Sequence, residues 1–288
     1  MQLKALAKIN LGLDVLGKRE NGYHDVRMVM QTIYLYDNVT LEKTLDAGIQ
    51  LETNLFYLPV NEKNIAYKAA KLLMDEFQIQ EGIKIHLEKR IPVAAGLAGG
   101  SANAAAVLVG MNRLFSLGLS MEELMERGVK LGADVPYCIM RGTVLAEGIG
   151  EILTPLTPLP KCYVLIAKPA ISVSTKEVYE ALDAEEIPYH PNIDGILKGL
   201  EEANLEQITS SMGNVLERVT IAKHPIIEEI KTAMKECGAM NAMMSGSGPT
   251  VFGIFEDQKT AKIAKQEILK KRIAKDVYVA NVHNARRK

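Results

Sequence analysis

The stretch that decides the fold is residues 92–103, which read Pro-Val-Ala-Ala-Gly-Leu-Ala-Gly-Gly-Ser-Ala-Asn. Nine of these twelve residues are Gly, Ala, Ser or Pro, so backbone amides can approach a ligand without side-chain obstruction. A helix is predicted directly afterwards, and the free amides and positive dipole end of a helix favour an anion such as a polyphosphate. The same composition also suits a tight strand-to-helix turn that serves only packing.

Two common nucleotide motifs do not fit this loop. It lacks the Lys-Ser/Thr ending of a Walker loop and the Gly-x-Gly-x-x-Gly spacing of a dinucleotide fold. No acidic ribose-binding residue follows at the interval that a Rossmann oxidoreductase needs. That class is therefore a distant alternative.

Periodic patterns surround the loop on both sides. Residues 3–15 place apolar side chains at odd positions, which predicts a strand with one buried face. Ser120 and Glu123 have the spacing of a capping box at a helix start. Strands are predicted at 28–42 and 83–91, and helices at 62–77, 101–116 and from Ser120 to Gly132.

Three prolines within 154–160 predict a linker, with one domain at 1–158 and a second at 159–288. The second half has the β-α-β-β-α-β order of a split βαβ unit with inserted helices. Its predicted strands are 162–167, 239–244, 250–256 and 276–282, and its predicted helices are 175–182, 193–203, 204–218, 225–236 and 258–271.

The composition excludes several classes of protein. Lys plus Arg is 34 and Asp plus Glu is 35, so the basic excess of a nucleic-acid binder is missing, and 286–288 reads as a solvated basic tail. Cys138, Cys162 and Cys237 are too far apart for a cysteine zinc site, which favours a reducing compartment. No apolar run approaches the roughly 20 residues that cross a bilayer. We expect a cytoplasmic protein without a membrane partner.

Polar residues at two places could carry chemistry. Lys8 and Asn10 project from the same face of the first strand, where a lysine could stabilise a transferring phosphate. The alternative is a solvated lysine on an edge strand. Asp134, two residues before Pro136, is either a helix N-cap or a carboxylate that orients a substrate hydroxyl.

Two turns could bind a ligand. Residues 245–248 read Ser-Gly-Ser-Gly and form either an anion-binding nest or a plain hairpin turn. Tyr23 could stack on a base and His24 could hydrogen-bond to its edge, although a surface hairpin is the simpler explanation. Tyr179 has the helical spacing of a core or rim residue.

These motifs occur in the order found in the GHMP kinase superfamily, which the chain resembles from residue 5 to about 255. Ala-Lys-Ile-Asn at 7–10 and Gly-Tyr-His at 22–24 resemble members that phosphorylate a cytidine diphosphate methylerythritol. The resemblance implies an α+β fold of two domains. The N-terminal domain would be ribosomal-S5-like α/β, and the C-terminal domain ferredoxin-like with a split βαβ unit. It also implies ATP, Mg²⁺ and a step of the non-mevalonate route to isoprenoid precursors.

By position, the resemblance assigns roles to individual residues. It makes Lys8 and Asp134 catalytic and Ser101 a metal ligand. The ATP loop comprises Pro92, Val93, Ala94, Ala95, Gly96, Leu97, Ala98, Gly99, Gly100, Ser101 and Ala102. The substrate-binding residues are Asn10, Tyr23, His24, Tyr179, Ser245, Gly246, Ser247 and Gly248.

The chain departs from the family pattern at two points. Ala94, Ala95 and Ala98 stand where many relatives have glycine, which is tolerable if these residues keep negative φ. Ala102 stands where many have a second serine, so any hydroxyl role falls to Ser101.

Other functions remain open at this point. A mevalonate or homoserine kinase of the same superfamily would give Tyr23 and His24 no base to contact. A non-catalytic nucleotide sensor would not need Lys8 and Asp134. The protein is expected to be a monomer or weak homodimer.

Overall fold

The computed structural model describes residues 1–183, 187 and 189–285; the basic run at 286–288 lies outside the described residues. Its strands are β1 (Gln2–Lys18), β2 (His24–Thr44), β3 (Ile49–Thr53), β4 (Gly82–Glu88), β5 (Thr143–Glu147), β6 (Ile152–Pro155), β7 (Tyr163–Lys168), β8 (Gly213–Asn214), β9 (Asn241–Met244), β10 (Val251–Phe255) and β11 (Asp276–Asn281). Its helices are α1 (Ile65–Phe77), α2 (Gly99–Leu114), α3 (Met121–Val129), α4 (Asp134–Met140), α5 (Thr175–Asp183), α6 (Ile193–Glu201), α7 (Leu205–Ser211), α8 (Glu217–Lys223), α9 (Ile226–Glu236) and α10 (Gln258–Lys271).

The described chain forms two compact units built from interleaved segments. Unit 1 contains Met1–Ala7, Leu35–Val93 and Ala98–Met140. Unit 2 contains Lys8–Tyr34, Ala94–Leu97 and the described chain from Arg141 onward. The division into domains at residue 158 stays a prediction.

Unit 1 packs helices on a small sheet. The second half of β2 is antiparallel to β4, with Val39 opposite Leu87, and β3 is parallel to β4. Asn64 caps α1 by accepting a hydrogen bond from the Ala66 amide, which satisfies one free donor of the first turn. Alanines on α1 and α2 are buried, and small side chains let the two helices approach closely.

Unit 2 contains a four-stranded antiparallel sheet in the order β11-β7-β10-β9. In chain order the strands are β7, β9, β10 and β11, with α9 before β9 and α10 between β10 and β11. That arrangement is the split βαβ unit, so the predicted C-terminal architecture is confirmed. Asp257 caps α10 through the Thr260 amide, as expected for an N-cap carboxylate.

The prediction of one buried face for β1 is wrong, because every residue from Ala5 to Val15 is buried. In unit 2, α6 packs against Gly12 on the even-numbered face. A Cβ atom on Gly12 would lie 2.6 Å from Ile193 Cδ1 and 2.7 Å from Ile196 Cδ1. Glycine at this position therefore allows the helix to approach the strand.

A single helix over 204–218 is also wrong. The segment divides into α7, the short strand β8 and the start of α8. Gly213 pairs in parallel with Gly12, so backbone pairing overrides the local helical pattern. The short strands β3, β5 and β6 were not predicted, and Thr154 and Pro155 of the expected linker belong to β6, which pairs with β5.

Substitution of Gly12 should measure the close contact between β1 and α6. We expect Gly12→Val to lower the free energy of unfolding by about 1–3 kcal/mol, the usual scale of overpacking. Gly17→Val is the control, because Gly17 lies on the same strand with no heavy atom near its Cβ position. Urea denaturation should show no loss for Gly17→Val; equal losses for both variants would contradict the packing assignment.

Candidate active site

The backbone of the 92–102 loop alternates between the two signs of φ. Ala94, Gly96 and Ala98 have φ of 49°, 70° and 54°, whereas Ala95 and Leu97 are not among the positive-φ residues. The condition of negative φ, under which alanine would be tolerated without strain, is therefore not met at Ala94 and Ala98. Alternation of this kind directs successive amides toward one side and forms a nest that fits an anion. That geometry explains why two alanines adopt a conformation that costs about 1–2 kcal/mol each.

Helix α2 begins at Gly99 with Ala98 as its N-cap. A methyl side chain cannot accept a hydrogen bond, and within residues 98–102 the helix start has no side-chain cap. The first turn of a helix has amides without intrahelical partners. These amides and the positive end of the helix dipole suit a phosphate group.

Gly96 lies directly against the third motif in unit 2. Ser245 Oγ donates a hydrogen bond to the Gly96 carbonyl at 3.0 Å. A Cβ atom on Gly96 would lie 2.1 Å from the Ser245 carbonyl oxygen, which no side chain tolerates. The Lys8 amide donates to the Leu97 carbonyl at 3.1 Å. Unit 2 therefore brings the first motif, part of the phosphate loop and residues 245–248 together.

Lys8 is buried rather than solvated, with 5% of its surface exposed. The alternative of a solvated edge lysine is therefore wrong. Its ammonium donates to Asn10 Oδ1 at 2.7 Å, and Asn10 Nδ2 lies 3.4 Å from the sulfur of Met28. The side chains of Lys8 and Asn10 share one face, as the strand spacing predicts, and the hydrogen bond fixes the position of the lysine.

Residues 245–248 do connect two antiparallel strands, β9 and β10, as the hairpin interpretation expects. The turn is held by Asn214, whose Nδ2 donates to the Met244 carbonyl at 3.0 Å and the Gly246 carbonyl at 2.8 Å. The hydroxyls of Ser247 and Thr175 lie 2.8 Å apart. Sequence reasoning missed Asn214, since it lies about thirty residues upstream in a segment predicted as helix.

Two of the three predicted base-binding residues lie against each other in unit 2. Tyr23 is 59% exposed, so its ring is accessible from solvent. The rings of His24 and Tyr179 have centroids 4.8 Å apart at an interplanar angle of 35°. The structure therefore brings His24 and Tyr179 together, although they are far apart in sequence.

Asp183 is a further residue at this place that sequence reasoning missed. Its carboxylate lies 2.5 Å from His24 Nε2 and 2.6 Å from Lys18 Nζ. Hydrogen bonds from His24 and then Lys18 lower the pKa of the Asp183 carboxyl. A lowered pKa means that the pair adds stability above the unfolded pKa of about 3.9 and loses it as the pH falls further. Asp183 is four residues after Tyr179 on α5, and that helical spacing was the available signal.

Asp134 is the first residue of α4 and is half-buried. The sequence predicted it as the residue before the helix, so the boundary differs by one position. The Val135 amide donates to the Gly132 carbonyl at 3.0 Å, which makes the turn that presents Asp134. A carboxylate in the first turn is favoured by the helix dipole.

Two family profiles match the chain. The profile of the GHMP kinases N terminal domain matches residues 64–142, and that of the GHMP kinases C terminal matches residues 188–274. With the split βαβ unit and the small-residue loop before α2, these matches define a GHMP-type small-molecule kinase. The use of ATP follows from that class.

Individual relatives narrow the assignment. A 4-diphosphocytidyl-2-C-methyl-D-erythritol kinase from Lachnoclostridium phytofermentans is 60% identical over 93% of this chain and 92% of its own. The enzyme of that name from Lachnospira eligens is 56% identical over 96% of each chain. A crystal structure of 4-(cytidine 5'-diphospho)-2C-methyl-D-erythritol kinase aligns with a TM-score of 0.85 at 31% identity, over 99% of this chain and 100% of the other. The chain belongs to the family of 4-diphosphocytidyl-2-C-methyl-D-erythritol kinases.

One structural finding bears on membranes. Among the described residues, no helix combines the length and the apolar character needed to span a bilayer.

The contact between Gly96 and Ser245 gives a stability prediction. Gly118→Ala is the control, because Gly118 has φ of +76° but open space at its Cβ position. It should lose about 1–2 kcal/mol from the left-handed conformation alone. Gly96→Ala adds a backbone clash, so we expect a larger loss in denaturant unfolding. Equal losses for the two variants would show that the 245–248 turn moves aside freely.

Proposed function

We propose that this chain transfers the γ-phosphate of ATP to a hydroxyl of 4-diphosphocytidyl-2-C-methyl-D-erythritol. The reaction is a step of the non-mevalonate route to isoprenoid precursors. The observation that carries the proposal is 60% identity over 93% of the chain to a kinase of that name. The convergence of Lys8, Gly96 and Ser245 in unit 2 supports it.

The nucleotide phosphates bind on the 92–102 loop. The alternating φ at Ala94, Gly96 and Ala98 and the uncapped start of α2 favour an anion there. Transfer of a phosphoryl group depends mainly on positioning and electrostatic stabilisation. A loop whose amides are already oriented provides both.

Magnesium fits this site as an ion that accompanies ATP. Among the described residues, no group of three or more His, Cys, Asp or Glu side chains could hold a metal ion. Mg²⁺ usually retains waters and binds to substrate phosphates with one or two protein ligands. The half-exposed Ser101 in the first turn of α2 is the residue we assign to it. The ion would neutralise charge on the phosphates.

Lys8 stabilises negative charge that develops on the transferred phosphoryl group. Its ammonium is buried, and a charge in a site with little water acts more strongly than one at the surface. Asn10 keeps the ammonium in one position through the hydrogen bond at 2.7 Å. Asp134 accepts or orients the proton of the attacking hydroxyl.

The cytosine of the acceptor binds beside Tyr23, His24 and Tyr179. Tyr23 offers an exposed ring, and the hydrogen bond to Asp183 fixes the position of the His24 imidazole. The glycine turn at 245–248 contributes to the substrate site. We further propose that the enzyme works in the cytoplasm on small molecules, without nucleic acid or membrane, as a monomer or weak homodimer.

An acceptor panel tests the function. Purified full-length protein with Mg²⁺ and ATP is given 4-diphosphocytidyl-2-C-methyl-D-erythritol, mevalonate or homoserine, and ADP release is measured. We expect turnover with the cytidine compound alone. Turnover with mevalonate or homoserine instead would reassign the substrate, and ATP binding without turnover would indicate a sensor.

Removal of the proposed proton acceptor should lower the rate rather than the affinity. We expect Asp134→Ala to reduce kcat by at least about 10²-fold, a typical loss for a proton-transfer group. Asp134→Asn is the matched variant, because it keeps the shape and removes the charge. Near-normal turnover in both variants would refute the role of Asp134.

Loss of the exposed ring at Tyr23 should affect binding of the acceptor. Stacking on a base contributes about 1–3 kcal/mol, so Tyr23→Ala should raise KM for the cytidine substrate about 5- to 150-fold with KM for ATP unchanged. Tyr23→Phe keeps the ring and should retain most of the affinity. An unchanged KM in Tyr23→Ala would remove this residue from the base site.

A further inference from the structure

A buried carboxylate in unit 1 makes hydrogen bonds to both sides of the phosphate loop. Asp37 is fully buried, and its Oδ1 accepts from the amides of Arg90 and Ile91 at 2.6 and 2.8 Å. Its Oδ2 accepts from Asn103 Nδ2 at 2.9 Å and from the ammonium of Lys89. Lys89 also donates to Asn103 Oδ1 at 2.8 Å.

The positions of these partners along the chain are informative. Ile91 is the last residue before the 92–102 loop, and Asn103 is the first residue after it. One carboxylate therefore holds the point where the chain enters the loop and the point where it leaves. The eleven residues between these points carry the alternating φ values that form the nest.

The network also reaches the first turn of α2. A Cβ atom on Gly99 would lie 3.4 Å from Lys89 Nζ and 3.1 Å from Ile91 Cγ2. An unpaired ammonium close to the positive end of a helix would be unfavourable. The charge of Asp37 offsets it, so the group as a whole is neutral.

A network of this kind is a poor choice if stability is its only purpose. Burial of an ion pair removes two charges from water, and apolar residues of similar volume often stabilise a protein as well or better. Apolar residues could not hold two backbone amides and a helix side chain in a fixed arrangement. The contribution of Asp37, Lys89 and Asn103 is therefore to fix the geometry of the backbone at both ends of the loop.

We propose that Asp37, Lys89 and Asn103 are positioning residues that hold the 92–102 loop in its phosphate-binding shape before ATP arrives. The inference rests on the proposed function, which puts the nucleotide phosphates on that loop. None of the three residues is assigned a contact with the reacting atoms. By holding the loop in advance, they reduce the entropy that the loop would otherwise lose when ATP binds.

The test variant is Asn103→Ala in the full-length enzyme. It removes the hydrogen bonds that Asn103 makes to Asp37 and Lys89 where the chain leaves the loop, and it leaves the ion pair of Asp37 and Lys89 intact. Alanine is also a strong helix former, so α2 should still fold. The control is Asn112→Ala on the same helix, where Asn112 Nδ2 and Oδ1 make two hydrogen bonds to Leu119 at 2.8 and 3.0 Å.

The two variants should separate a positioning role from a purely structural one. We expect Asn103→Ala to lower kcat/KM for ATP about 10- to 100-fold, the scale of one hydrogen bond to a charged group. KM for the cytidine acceptor should change less than about twofold. Asn112→Ala should lower Tm by a comparable amount with unchanged kinetics for ATP. Equal kinetics in both variants, per folded enzyme, would overturn the proposal.

Two further measurements keep the result decisive. If Asn103→Ala does not yield folded protein, Asn103→Ser keeps a polar group, and the same kinetic comparison with Asn112→Ser decides. Gly96→Ala reports on the loop itself. If that variant leaves KM for ATP unchanged, the proposed nucleotide site is wrong; if it raises KM while Asn103→Ala does not, only the positioning role fails.

Discussion

The missing side chain at Gly96 is the constraint on which the site in unit 2 depends. The Ser245 carbonyl occupies the space that a Cβ atom would need, and the Ser245 hydroxyl binds the Gly96 carbonyl. The next carbonyl, of Leu97, accepts the amide of Lys8. A methyl group at position 96 would separate the turn from the loop, so one small residue keeps three distant sequence motifs in register.

The sequence predicted those helices and strands in which the pattern of apolar residues continues without a break. Helices α1 and α9 were expected near their observed bounds because each has one apolar face. Strands β7 and β10 were expected because each is a short, almost continuous apolar run that is buried on both faces. The prediction of a single buried face for β1 was wrong, since Lys8, Asn10, Gly12 and Asp14 on its even-numbered face are also buried. The packing of α6 on Gly12 could not be read from the strand itself. The helix predicted over 204–218 failed for a similar reason, because the pairing of Gly213 with Gly12 joins residues that are far apart in the sequence.

The motifs of the candidate site were visible in the sequence, but the residues that hold them were not. Asn214, Asp183 and Asp37 each form a hydrogen bond with a residue more than thirty positions away in the sequence. A single polar residue within an ordinary strand or helix gives no periodic signal. The partners of Asn214 and Asp37 are set by topology, so these two residues emerge only from the structure, whereas the spacing of Asp183 from Tyr179 on α5 offered a local signal.

Ala94 and Ala98 show how far the loop is determined by its surroundings. An L-residue in the left-handed region carries strain, and such strain persists only where neighbouring contacts leave no alternative. Ala94 is two residues before Gly96, whose carbonyl is bound by Ser245. Ala98 directly precedes the first turn of α2, behind which Lys89 lies. The hydrogen bonds made at Gly96 and at Asp37 therefore have a second effect besides joining segments. They oppose the relaxation of two alanines and so preserve the alternating φ values of the loop.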